Sequence, residues 1–184
     1  MVDLPSFLNR SDFIGKYLPG YVLVVLYILL FEFDKISSLD KDIITALVFV
    51  VAGPTLGYTI TQFHRSLPYI RSAIIGDKDD SAKEELKKTV RRYARLKTLL
   101  SVEEKSELEL AEAEYDFSIS TGIVFLLLEA IIFYHIVIND LKLDPLIQIP
   151  FLVLAGCLFV NAHYQKTRAY YPLFSEFVKK YKIT

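Results

Sequence analysis

An all-α fold carried on four transmembrane helices, with a cytoplasmic antiparallel helical hairpin between the second and third, is what this chain predicts. Three observations predict it: four long apolar stretches, one charged stretch of about fifty residues between the second and third of them, and basic residues gathered on one set of connections. Residues 17–33, 43–63, 117–138 and 146–163 each come close to the ~20 apolar residues needed to cross a bilayer core. A soluble four-helix bundle would carry polar residues along the outer face of every helix, and these stretches do not. A composition of 53% hydrophobic residues, with a mean hydropathy of +0.35, argues the same way.

The first stretch is the shortest, and Phe13 and Ile14 extend it. Asp3 and Asp12 lie beside Arg10 and Lys16, and no small-residue cleavage site follows, which reads against a signal peptide. Orientation comes from charge. Eighteen of the 21 Lys and Arg residues lie in the N-terminal segment, the central segment and the C-terminal tail, and three lie in the other two connections. The positive-inside tendency then places both termini and the central segment in the cytoplasm of a multi-pass cell-membrane protein. The organisation expected is residues 1–67 for the N-terminal segment and helices 1–2, 68–116 for the charged hairpin, 117–164 for helices 3–4, and 165–184 for an amphipathic tail.

The second stretch carries Gly53, Pro54, Gly57 and Thr61. Gly53, Gly57 and Thr61 recur every four residues, and Ala46 lies seven before Gly53; such a small-residue stripe lets another helix approach closely. Pro54 removes one amide and crowds the Val50 carbonyl, so packing or a hinge is the expected role.

Two helix starts are legible in the central segment. Ser81 and Glu84, and again Ser101 and Glu104, match the S-x-x-E capping box. Leu86, Val90, Tyr93 and Leu100, then Leu108, Ala111 and Tyr115, give stripes of helical period, so a hairpin turning near Ser101 follows. No breaker occurs before Gly122, so the second arm runs on into the third stretch. Lys87, Lys88, Arg91, Arg92, Arg95 and Lys97 charge the first arm; Glu103, Glu104, Glu107, Glu109, Glu112, Glu114 and Asp116 charge the second, with only Lys105 between. Antiparallel pairing would set the arms against each other, within one chain or between subunits. Lys87, Lys88, Arg91, Arg92 and Arg95 are thus candidates for contact with a partner or with membrane lipids. With one aromatic residue in that arm and no recognition motif, nucleic acid is not an expected partner.

Glu129 is the one ionisable carboxylate well inside an apolar stretch, twelve residues or roughly 18 Å beyond Phe117. Intramembrane carboxylates face the bundle interior or water. Glu129 is therefore either an ion or proton site, or a protonated donor to the Val50 carbonyl or to Thr55 on the second helix. His64 and His163 fall at the same end of their stretches, the geometry of bis-histidine haem ligation, but the pair is non-specific and no cofactor is expected. Cys157, the single cysteine, excludes an intrachain disulfide. Residues Cys157, Asn161, Tyr164, Gln165 and Arg168 of the fourth stretch suit interhelical hydrogen bonds. Phe174, Phe177, Val178 and Tyr181 after Pro172, and Tyr69, Ile70, Ile74 and Ile75 after Pro68, make amphipathic faces expected to rest on the headgroup layer.

Phosphate-binding Gly-rich loops, H-E-x-x-H, G-x-S-x-G and acidic clusters with metal-ligand spacing are absent from the sequence. Asn, Gln, Cys and Met together number eight, a bias associated with thermophiles. The expectation is a non-enzymatic subunit or scaffold that assembles with itself or with a membrane-protein partner. The alternative is a homo-oligomeric channel with Glu129 in its path.

Overall fold

The computed structural model of the chain describes residues 10–32, 51–74, 80–138, 146 and 148–183. Every regular element among them is helical, and no strand occurs among the described residues. Helix α1 (Leu18–Tyr27) is flanked by π-helical turns at Phe13–Tyr17 and Ile28–Glu32. Then come α2 (Gly53–Ile74), α3 (Asp80–Leu99), α4 (Val102–Ile138), α5 (Gln148–Gln165), a π-helical turn at Lys166–Tyr170, and α6 (Tyr171–Lys180).

Among the described residues, two helices are long and apolar enough to cross a membrane: Phe13–Phe31, and α4 through its apolar C-terminal part. The second apolar stretch of the sequence is described only from residue 51, and α5 carries Gln148, Asn161, His163 and Gln165 near its ends. The connections at residues 33–50 and 139–145, with Ala46 and Val50, lie outside the described residues, as does Ile75.

Prolines account for two of the π-helical turns named above. Pro19 and Pro172 each stand two residues beyond such a turn. A proline has no N–H to return to the carbonyl four residues back, and a widened turn accommodates that break without ending the helix.

At the apolar end, α1 lies against α2 with the backbones in contact. A Cβ on Gly20 would overlap the Gly53 carbonyl, and one on Gly57 would overlap the Lys16 and Tyr17 carbonyls. Glycine is required here by space. The small-residue stripe is thus occupied by the chain's own first helix. Thr61 Oγ1 continues the seam, 2.9 Å from the Gly57 carbonyl, 3.1 Å from the Gly15 carbonyl and 3.2 Å from Ser120 Oγ on α4. Ile60, Val124 and Leu128 pack beneath it with Val22, Leu23 and Leu26.

At the charged end, the capping box at Ser101 is formed. Glu104 N donates to Ser101 Oγ (3.2 Å) and Ser101 N donates to Glu104 Oε2 (2.9 Å), and α4 then runs unbroken for 37 residues. The side chain of Ser81 lies outside the described residues.

The hairpin is built differently from the expected pair of arms. Leu96 and Leu108 are fully buried, but what buries them is α6, through Phe177 and Ile183 with Phe174 and Val178 around them. The apolar face of the C-terminal helix therefore covers the hairpin instead of resting on headgroups. An aromatic helix inserted there leaves the two charged arms few direct contacts, and Lys97–Glu109 (3.6 Å) is the one ion pair between them among the described residues.

Candidate functional site

The two cores meet at a layer of ionisable side chains where α2, α3 and α4 converge. Arg65, one residue beyond the buried His64 on α2, reaches α4 and donates from Nε to Asp116 Oδ2 (3.1 Å) and from a terminal nitrogen to Glu112 Oε1 (2.8 Å). The same nitrogen also pairs with Asp116 Oδ2. Glu112 and Asp116 are one helical turn apart, so a single guanidinium fork spans both. From α3, the Tyr93 hydroxyl donates to the other Glu112 oxygen. His64 Nε2 lies 3.4 Å from Asp116 Oδ1, and its ring stands edge-on to Tyr115 at 5.8 Å.

Burial sets the electrostatics. Asp116 is only 3% exposed. Removal from water pushes its carboxyl up to about 6, against the pull of Arg65. His64, 6% exposed, is lowered to about 4 by burial and then by the neighbouring Arg65 and Lys166, so it is neutral at pH 7. Burial and Glu112 likewise push the Tyr93 hydroxyl upward and keep it a donor. Lys16, held by Asp12 at 2.5 Å, joins Arg65, Lys97, Lys105, Glu109 and Glu112 around an open cavity of about 330 Å³.

A second polar junction lies farther out. Glu104, besides closing the capping box, accepts from Lys180 Nζ (2.5 Å) and from the Tyr181 hydroxyl (2.7 Å). Those bonds, with the Ser101 amide, hold its carboxyl down to about 2. The glutamate that starts α4 thereby also anchors the end of α6.

The candidate site residues named from the sequence all fall within the described residues. Gly53 is pressed against the Tyr21 ring, Gly57 and Thr61 face α1, and Pro54 is half-buried one residue beyond Gly53. Lys87, Lys88, Arg91, Arg92 and Arg95 are all exposed on α3, away from the ionisable layer. His163 is exposed while His64 is buried against Asp116, so the two do not form a matched pair. Cys157 is exposed on α5.

Glu129 stands on the α4 face that meets α5. On that face Asn161 donates to Ser118 (2.8 Å), Gly122 abuts Phe159, and Phe125 lies 5.8 Å from Phe151. This antiparallel register brings Glu129 level with the first turn of α5. Its Oε1 is buried without a hydrogen-bond partner, and Thr55 is exposed on α2. Side chains from Pro68 to Ile74 are outside the description, and with them the face expected after Pro68.

Arg65 was not named from the sequence, and Glu112 and Asp116 were read only as charges of the acidic arm. The signal was present: a His-Arg pair where one apolar stretch ends, and an acid-x-x-x-acid pair where the next begins. Opposite charges at matched ends of two stretches are placed to meet. Comparison with family models, with curated proteins and with solved structures finds no match for this chain.

Proposed function

We propose that this chain is a small multi-pass membrane protein with four spans and both termini in the cytoplasm, acting as a non-enzymatic subunit or scaffold of a membrane assembly. One observation carries the reading. The inner ionisable groups are spent on one another, while the basic side chains of α3 stand outward and free for a partner. Arg65, Glu112, Asp116 and Tyr93 clamp the hairpin onto the ends of the membrane helices, and Glu104 clamps α6 onto the hairpin. A clamp of that kind presents a rigid charged surface to whatever docks outside. Because the small-residue stripe is filled within the chain, docking falls to the hairpin.

Cross-linking in native membranes, followed by weighing the purified particle, tests this. A particle heavier than one 21.1 kDa chain is expected, and a lone chain under all conditions would overturn the reading.

The buried, partnerless Glu129 Oε1 favours one alternative, a homo-oligomeric channel with Glu129 in its path. Ion or proton flux through liposomes carrying Glu129→Gln decides it: unchanged flux removes the site.

A further inference from the structure

Two charged stripes on the hairpin remain unused after all intrachain pairing. On α3, Lys87, Lys88, Arg91, Arg92 and Arg95 project from the side opposite Tyr93, Leu96 and Leu100, which pack inward. Lys88 meets only Glu84, one turn away at 3.4 Å and itself exposed, and the three arginines make no ion pair among the described residues. On α4, Glu103, Glu107 and Glu114 are exposed and likewise make no ion pair among the described residues. Their spacings of four and seven put them on one helix face. Beside them lies a shallow hollow of about 270 Å³ with Leu110, Ala111, Ala169 and Leu173 in its floor and Glu107 and Glu114 at its rim.

We infer that the partner of the basic stripe is a second copy of this chain, whose acidic stripe on α4 receives it, the contact repeating head to tail about an axis along the membrane normal. The inference rests on the membrane reading above, because the bilayer fixes the geometry. Copies in one membrane share an orientation, so rotation about the membrane normal keeps α3 of one copy antiparallel to α4 of the next. In that sense Arg95 meets Glu107 and Lys88 meets Glu114. Both separations are seven residues, about 10 Å along the helix. The basic stripe faces away from α4 and the acidic stripe away from α3, so the contact is heterologous and closes as a ring when the rotation between copies allows it. Exposed pairs of this kind are individually weak and screened by salt, so the assembly is expected to open as ionic strength rises.

The test uses full-length protein, with two different tags, in nanodiscs of zwitterionic phospholipid. Wild-type chains should co-purify with one another at low salt and separate at high salt. Arg91, Arg92 and Arg95 changed together to Glu should give single chains, and so should Glu103, Glu107 and Glu114 changed together to Lys. Mixing the two variants should restore pairing between them, which also shows that both are folded. In a Cys157→Ser background, Arg95→Cys and Glu107→Cys chains should form a disulfide-linked pair when mixed. Particles heavier than one chain that ignore both charge reversals overturn this inference and leave the scaffold reading standing. Lone chains throughout overturn both. Pairing that appears only when phosphatidylglycerol is added assigns the basic stripe to lipid headgroups and overturns the contact between copies.

Discussion

Where Gly20 meets Gly53 and Gly57, two helix backbones touch and side chains contribute little. Where Leu96 meets Leu108 and Phe177, the backbones stand apart and aromatic and aliphatic side chains fill the gap. The contrast follows from the solvent each region is proposed to face. Lipid tails are as apolar as leucine, so burying leucine in a bilayer gains little, and helices associate through close backbone approach and hydrogen bonds such as that of Thr61. In water, each Å² of apolar surface removed contributes about 25 cal/mol, so large side chains are the effective means. On that proposal, the layer of Arg65, Glu112 and Asp116 lies where one regime gives way to the other.

The largest effect is expected in the backbone-contact region. Gly57→Leu drives a side chain into the Lys16 and Tyr17 carbonyls and should cost on the order of 3 kcal/mol or more, read as lost recovery of folded protein after detergent extraction. A tolerated leucine would mean that α1 and α2 are not packed as described. Leu96→Ala should cost about 2–5 kcal/mol through the cavity it leaves, read by chemical unfolding of the hairpin. If the two regions are separate cores, protease should then release hairpin fragments while the α1–α2 contact survives. Simultaneous loss of both would show one cooperative unit.

These outcomes bear on what the sequence could reveal. Apolar length, the Ser101–Glu104 capping box and the spacing of Gly53, Gly57 and Thr61 are local signals, and each was legible. Which helix fills the glycine stripe is not local: nothing in Gly20 alone distinguishes a neighbour in the same chain from one in another. The amphipathic face of α6 was visible as well, but a Phe-Lys helix has the same pattern whether it covers a headgroup layer or a hairpin. The ionisable layer joins residues about fifty positions apart and was missed because each was weighed within its own helix.

Acidity sharpens the comparison at the boundary. Asp116 titrates near 6 when folded, above its unfolded value, so the folded state gains stability as pH falls from 7 through 6 toward 4. His64 works the other way. Lowered to about 4, it favours the fold above pH 6.5 and withdraws that support as pH falls toward 4. Asp116→Asn removes only the first contribution. Thermal unfolding at pH 7.5 and 5 should therefore show the native chain gaining on the variant at the lower pH. A constant gap would mean that the Asp116 carboxyl is not held out of water.

The smallest expected effect lies at the far end of the hairpin core. Past the end of α6, Lys182 has φ of 48°, the left-handed region that glycine occupies freely and other residues reluctantly. The geometry is that of a Schellman cap, with Ile183 N–H donating to the Val178 carbonyl (3.1 Å) and Lys182 N–H to the Lys179 carbonyl (3.2 Å). That turn folds Ile183 back onto Leu108 and Phe177, so the strained residue delivers an apolar anchor to the core. Lys182→Gly should remove the steric penalty while keeping the turn, raising hairpin stability by roughly 0.5–1 kcal/mol. Lys182→Val should lower it, since a β-branched residue resists positive φ. Equal unfolding midpoints for glycine, lysine and valine at this position would show that the tail does not close on the hairpin in solution. The water-facing core would then end at Phe177.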